Sequence, residues 1–270
     1  MGQKRRDFLK SLAVIGGVSM INLPALADNL VKGSRSAVGG KMKLSWKPYE
    51  LQLKHAFNIS TYSRKTTPVV LTTIEYDGLV GYGEASLPPY LGETQASVIE
   101  FLKKVDLSGF SNPLELEEII HYIDSIAENN TAAKASVDIA LHDLAGKSIG
   151  KPWHQLWGLK KEKVPDTTFT IGIDTDEVVR QKVREVEGQF KILKVKLGGT
   201  EDKRMVETIR SVTALPLAVD ANQGWKDKHQ ALDMILWLKE KGVVMIEQPM
   251  LEYNLDPIAW LTEESPLPIF

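Results

Sequence analysis

The chain has 270 residues, 43% hydrophobic, 25% charged and 7% aromatic, the balance of an ordinary globular protein rather than a disordered or collagen-like one. Its 33 Lys and Arg nearly cancel its 35 Asp and Glu, for a net charge of -2, so no basic excess points to nucleic acid. The absence of cysteine excludes disulfides, thiolate-bound zinc, iron–sulfur clusters and thiol nucleophiles.

Residues 1–27 read as an export leader. Lys4-Arg5-Arg6 and Lys10 give a charged start, an apolar run from Leu12 to Ile21 contains Gly16 and Gly17, and Ala25-Leu26-Ala27 supplies a cleavage site. The run is too short and glycine-rich for the ~20 apolar residues of a membrane span. Arg5-Arg6 followed by Phe8-Leu9-Lys10 resembles a bacterial twin-arginine signal, so the expected destination is the periplasm. An ordinary secretion signal and an uncleaved anchor are the alternatives. Residues 28–41 read as a linker.

Residues 42–164 read as an α+β domain. Strand signals cover 42–57 and 67–76, separated by a polar loop at 58–66 that carries Arg64 and Lys65. Asp77-Gly78 between two apolar runs predicts a hairpin into Leu79–Gly83. Apolar residues spaced by three and four then predict helices over 94–104, 113–127 and 131–148, with His142 in a structural place on the last.

From residue 165 the pattern becomes strand–helix alternation: strands at 169–173, 192–197, 217–220 and 243–247, helices at 176–188, 201–213, 227–241 and about 255–263, and a fifth strand opening at 268–270. This spacing predicts a parallel sheet with crossover helices, as in a (β/α)8 barrel. A doubly wound sheet fits the alternation as well, but no Gly-x-Gly-x-x-Gly or Walker sequence follows any strand. Trp225, Trp237 and Trp260 read as core or interface, with core the default.

The polar exceptions cluster at the strand C-termini: Lys194 and Lys196, Asp220 and Asn222, and Glu247. That end of a (β/α)8 barrel carries the chemistry. Two lysines two residues apart share one side of a strand. Mutual repulsion and lost solvation predict a lysine pKa drawn down toward working pH, and hence a proton-transfer base. Asp220 and Glu247 end successive strands, and hard oxygen donors so placed suit Mg²⁺. Taken singly, Lys-x-Lys is a solvated pair, a strand-end Asp a helix N-cap, and Glu-Gln-Pro a loop start. Their joint placement favours a site, though it does not identify the reaction.

Lys194-Val195-Lys196, Asp220-Ala221-Asn222-Gln223-Gly224-Trp225 and Glu247-Gln248-Pro249, with Ala132–Leu144 and Gly81-Tyr82-Gly83-Glu84-Ala85, resemble the enolase superfamily in its muconate-lactonising-enzyme subgroup. Together with Thr168-Phe169-Thr170-Ile171-Gly172, they look most like dipeptide epimerases of the L-Ala-D/L-Glu type. The resemblance spans roughly 42–270. It implies an enolase-like capping domain over 42–164 and the first half of a (β/α)8 barrel over 165–270. It also implies an isomerase that abstracts an α-proton through an enediolate, with one Mg²⁺ holding a substrate carboxylate. Asp220 and Glu247 are then the metal ligands, Lys196 the acid/base and Lys194 its electrostatic partner. Asn222 orients the ligands, and Thr170 and Arg64 contact substrate.

The family pattern further calls for a third carboxylate and an opposing lysine beyond Phe270. The expectation is therefore a C-terminally truncated sequence whose 270 residues are inactive alone. Alternatives are a cycloisomerase, an o-succinylbenzoate synthase, an N-succinylamino acid racemase, or a non-catalytic remnant. The expected partner is a small dipeptide from cell-wall peptide, with no nucleic acid and no stable membrane anchor; a homo-oligomer stays open.

Overall fold

The computed structural model describes residues 40–58 and 63–270, so the leader at 1–27 and nearly all of the linker at 28–41 lie outside the described residues. Two compact units emerge. One joins the described residues up to Glu50 with Pro68–Glu162, and the other joins Leu51–Thr67 with Lys163–Phe270.

The first unit is built on an antiparallel sheet of β1 (Lys43–Asn58), β2 (Ser63–Tyr76) and β3 (Leu79–Ser86), in that order. Asp77 and Gly78 both take positive φ, 49° and 77°, as the two-residue turn between β2 and β3 demands. The sequence expectation of a loop over 58–66 is corrected here. β1 runs on to Asn58 and β2 begins at Ser63, so Arg64 stands on a strand. Polar composition suggested a loop, but the backbone continues in extended conformation through both arms.

Helices α1 (Gln95–Leu102), α2 (Leu116–Ile126) and α3 (Thr131–Ile149) follow, with a short α4 (Trp153–Leu156) that the periodicity did not reveal. Thr94 and Ser97 cap α1 reciprocally, the hydroxyl of Thr94 accepting from the Ser97 amide. α3 buries Ala133, Val137, Ala140, Leu141 and Leu144 at helical spacing and ends on Gly150 in left-handed conformation. It lies so close to β3 that a Cβ at Gly83 would fall 1.9 Å from the Ser136 carbonyl oxygen, and one at Gly81 would fall 2.1 Å from that of Ala140. The Gly81-Tyr82-Gly83 motif is thus a packing device: only glycine lets strand and helix backbones touch. Inside this contact the Thr72 hydroxyl donates to Ser136 Oγ at 3.0 Å, and Ser136 donates to the Ala133 carbonyl.

The second unit holds β4 (Phe169–Ile171), β5 (Leu193–Lys196), β6 (Leu217–Asp220) and β7 (Val243–Glu247), all parallel and paired in chain order. Helices α5 (Asp176–Glu185), α6 (Asp202–Arg210), α7 (Lys228–Glu240) and α8 (Leu255–Glu264) alternate with them. The next strand opens on β7: Ile246 N–H donates to Pro268 O, and Phe270 N–H donates to Ile246 O. A doubly wound sheet reverses its strand order at a switch point. Strands added successively to one edge follow barrel order instead. Leu193, Val195, Leu217, Val219 and Ile246 are fully buried in one core with Val183, Ile209, Ile235 and Leu238 of the helices. No helix among the described residues is long and apolar enough to cross a membrane.

Candidate active site

Strand alternation decides which side chains meet. With Leu193, Val195, Leu217 and Val219 turned to the helices, Lys194, Lys196, Ala218 and Asp220 take the opposite face of the sheet. Register lines them up in two rows. Thr170 sits beside Lys194, Ala218 and Met245, and one pleat nearer the strand C-termini Lys196 sits beside Asp220 and Glu247. The structure thus places Thr170, Lys194, Lys196, Asp220 and Glu247 together on one surface.

Asp220 is the hub of this surface. Its Oδ2 accepts from Lys196 Nζ at 2.6 Å and from Lys194 Nζ at 3.0 Å, while Lys194 Nζ also donates to Glu247 Oε2 at 2.5 Å. One ammonium therefore lies between two carboxylates. Asp220 is 1% exposed and Lys196 8%, so the charges are held out of water and bound to one another. Burial alone pushes the Asp220 carboxyl up, but the hydrogen bonds from Lys196, the Asn222 amide and Lys194 outweigh it and hold it below the usual carboxylate range. Burial likewise pulls Lys194 down, and its bonds to Glu247 and Asp220 reverse that, leaving it above the ordinary ammonium value. The expectation of a lowered lysine pKa is thus corrected at Lys194. The nearest charges to this ammonium are carboxylates, not the second lysine.

The backbone beyond the strands is strained where it frames these groups. Asn222, Gln223 and Gln248 all adopt left-handed φ, at 47°, 63° and 45°. Such geometry persists only where surroundings over-determine it. Here Ala221 N–H donates to Glu247 O, Gln223 N–H to Gln248 O and Trp225 N–H to Pro249 O, lacing the ends of β6 and β7 together. Asn222 turns its own N–H onto Asp220 Oδ1 at 2.9 Å, and its side-chain Oδ1 is buried without a hydrogen bond.

A second brace escaped the sequence reading. Asp202, 3% exposed at the start of α6, accepts from the amides of Gly198 and Gly199 and from the Trp225 indole at 2.9 Å. A Cβ on Gly224 would come 2.3 Å from Gly198 O, so the loops after β5 and β6 are in backbone contact. Trp225, read as core, is in addition a donor. The available signal was the pair Gly198-Gly199 three residues ahead of an acidic first helical turn.

Arg64 belongs to another element of the same unit. On β2, its guanidinium carbon lies 5.3 Å from the Phe57 ring centroid.

Comparison with known proteins gives these motifs a family. Residues 47–158 match the mandelate racemase / muconate lactonizing enzyme N-terminal domain, and residues 177–270 match the enolase C-terminal domain-like model. The L-Ala-D/L-Glu epimerase of Bacteroides thetaiotaomicron is 60% identical over 271 residues, covering 98% of this chain and 71% of that protein. The chain belongs to the mandelate racemase / muconate-lactonising family of the enolase superfamily. An L-Ala-D/L-amino acid epimerase of Pedosphaera parvula is 37% identical, over 85% of this chain and 68% of its own length. Among solved structures, the dipeptide epimerase of Enterococcus faecalis in complex with Mg and L-Leu-L-Tyr superposes with a TM-score of 0.75 at 32% identity, covering 85% of this chain and 67% of that one. The first unit is accordingly the family's capping domain, and β4–β7 with their helices belong to its parallel α/β domain.

Proposed function

We propose that this chain carries the proton-transfer face of a metal-dependent dipeptide epimerase of the L-Ala-D/L-Glu type. The observation that carries the reading is the contact network of Lys194, Lys196, Asp220 and Glu247 at the ends of three successive parallel strands. The 60% identity to an L-Ala-D/L-Glu epimerase supports the substrate class.

The donor set fits a hard divalent cation. Two carboxylates converge on one ammonium, Lys194 Nζ, and beside them the buried Asn222 Oδ1 has no partner. Asp220 and Glu247 would hold Mg²⁺, with Asn222 orienting Asp220 through its amide. When bound, the ion stabilises the negative charge that grows on a substrate carboxylate as its α-proton leaves. Lys196 exchanges that proton at the α-carbon, shielded from water and aimed by Asp220. Lys194 contributes positive charge beside the same carboxylate. Thr170 limits one side of the substrate, and Arg64 pairs with a distal carboxylate by its two-pronged donor edge.

The test is proton exchange. With Mg²⁺ and L-Ala-L-Glu in deuterated water, the one proton-transfer face carried here should exchange the Glu α-hydrogen for deuterium even where no epimer forms, and Lys196→Ala should slow this by at least 10²-fold. No incorporation, or incorporation indifferent to Lys196, overturns the reading.

The leader reading adds that the enzyme works outside the cytoplasm, where cell-wall dipeptides lie. Arg5-Arg6 supports it. Changing both to Lys should retain the protein in the cytoplasm, as read by cell fractionation; unchanged export excludes the twin-arginine route.

A further inference from the structure

The two proposed substrate contacts come from distant parts of the sequence. Thr170 lies in β4 of the parallel sheet, and Arg64 stands on β2. A single side chain joins the segments that carry them. Asn58 Nδ2 donates to Ile173 O at 2.9 Å, and Asn58 O accepts from Ile173 N–H at 3.1 Å. On its other side Asn58 Oδ1 accepts from Ser63 Oγ at 2.5 Å. Ser63 is the neighbour of Arg64, and Ile173 lies three residues past Thr170. Three polar functions of Asn58 are thus engaged, two with Ile173 just beyond β4 and one with Ser63 on the other hairpin arm.

The fit is tight enough to dictate sequence. A Cβ on Gly172 would stand 2.9 Å from Asn58 O and 3.3 Å from Asn58 N, so only glycine lets the chain pass. Two further ties hold the hairpin nearby. Lys182, 4% exposed, is paired with Asp174 at 3.0 Å and reaches Ala56 O at 3.5 Å. Lys54 and His55 both meet Glu185 Oε2, at 2.8 and 2.9 Å. These ties fix where the hairpin lies. Among the described residues, Asn58 is the one whose hydrogen bonds reach both Arg64's neighbour Ser63 and Ile173 beyond the strand end.

We propose that Asn58 is a positioning residue that couples Arg64 to the end of β4, so that Arg64 and Thr170 meet the substrate as one preformed pair. This deepens the dipeptide reading and rests on it. Preorganisation of this kind shows in substrate binding rather than in the chemical step.

The experiment compares the full protein with Asn58→Ala, Asn58→Asp, Arg64→Ala and the Asn58→Ala/Arg64→Ala double variant. Asn58→Asp keeps the acceptor for Ser63 but sets an oxygen against Ile173 O. The readouts are KM and kcat for α-deuterium incorporation into L-Ala-L-Glu with Mg²⁺ in deuterated water, and amide hydrogen exchange without substrate. For both Asn58 variants we expect KM to rise roughly five- to tenfold, the scale of one or two lost hydrogen bonds, with kcat changed less than twofold. In the Arg64→Ala background the Asn58 substitution should add nothing further. Exchange should accelerate together at 172–174 and at 63–66. Unchanged KM, or effects that simply add to those of Arg64→Ala, overturn the proposal while leaving the epimerase reading intact. If the protein incorporates no deuterium, the proton-transfer reading fails and amide exchange decides alone. Joint loss of protection in both segments supports the coupling, and loss in one segment only overturns it.

Discussion

Asp220 has two ammonium partners and one amide donor, and its location at the end of β6 explains each of them. Register sets it against Lys196, pleating brings Lys194 to the same face, and the left-handed turn at Asn222 folds an N–H back onto it. Replacing it with Ala leaves Lys196 buried without its counter-charge, which costs about 3–5 kcal/mol when a buried pair is broken. Urea unfolding should show that loss, and a stability within 1 kcal/mol of wild type would mean that water reaches Lys196. Removing Glu247 should cost less, because it is more exposed than Asp220 and Lys194 keeps Asp220 as a partner. Trp225 offers a milder residue-scale test. Trp225→Phe deletes one donor to Asp202, which retains the Gly198 and Gly199 amides, so the expected cost is about 1–2 kcal/mol, measured the same way. Sequence could name Lys194, Lys196, Asp220 and Glu247 because their two-residue and one-repeat spacings are periodic. It could not name Asp202 as the brace of two loops, since that depends on backbone approach at Gly198 and Gly224, which no periodicity encodes.

Elements were legible in proportion to how fully their own pattern specified them. β6 and β7 lie where their apolar runs predict, and α7 begins where Asp227 caps it through the His229 and Gln230 amides. The hairpin of β1 and β2 was read too short. Its polar residues look like a loop until the partners of Lys54, His55, Ala56 and Asn58 are seen, and those partners, Glu185, Lys182 and Ile173, lie over a hundred residues away. This contact has a measurable acid limit. Glu185 is held down to about 2 by its hydrogen bonds from Lys54, Gln181 and His55, against an ordinary value of 4.5. A depressed carboxyl stabilises the fold above its unfolded value and loses that contribution as pH falls toward the folded one. Protection of 51–58 from hydrogen exchange should therefore fade between pH 4.5 and about 2 in excess of what Glu185→Gln shows. Identical acid profiles for the two proteins would remove Glu185 as the cause. At β3 the prediction is steric. Gly83→Ala drives a methyl into the Ser136 carbonyl, a backbone atom that cannot rotate away, so α3 must shift as a body at a cost above about 3 kcal/mol.

At the scale of the whole molecule, the chain passes between its two units at residues 50/51, 67/68 and 162/163. A sequence reader sees one change of pattern, near 165, because strand–helix alternation begins there, whereas the exchange of the hairpin tip leaves no compositional trace. Each unit has its own apolar core, and the two share no residue: Phe101, Ile119, Leu141 and Leu144 anchor one, Leu193, Val195, Leu217 and Ile235 the other. Cores that are separate in residue content should fail separately. Leu217→Ala removes a fully buried side chain flanked by β5 and β7, at an expected cost of about 2–5 kcal/mol. Phe101→Ala in the other core should cost about 3–5 kcal/mol. By hydrogen exchange under native conditions, the first substitution should accelerate opening across 163–270 and also across 51–58 and 63–67, leaving 68–162 near wild type. The second should do the reverse. Acceleration of 51–58 with Phe101→Ala instead would place the hairpin tip in the first cooperative unit. Uniform acceleration by either substitution would mean that the two cores open as one, and the parallel strands would then depend on capping-domain packing for their stability as well as their own.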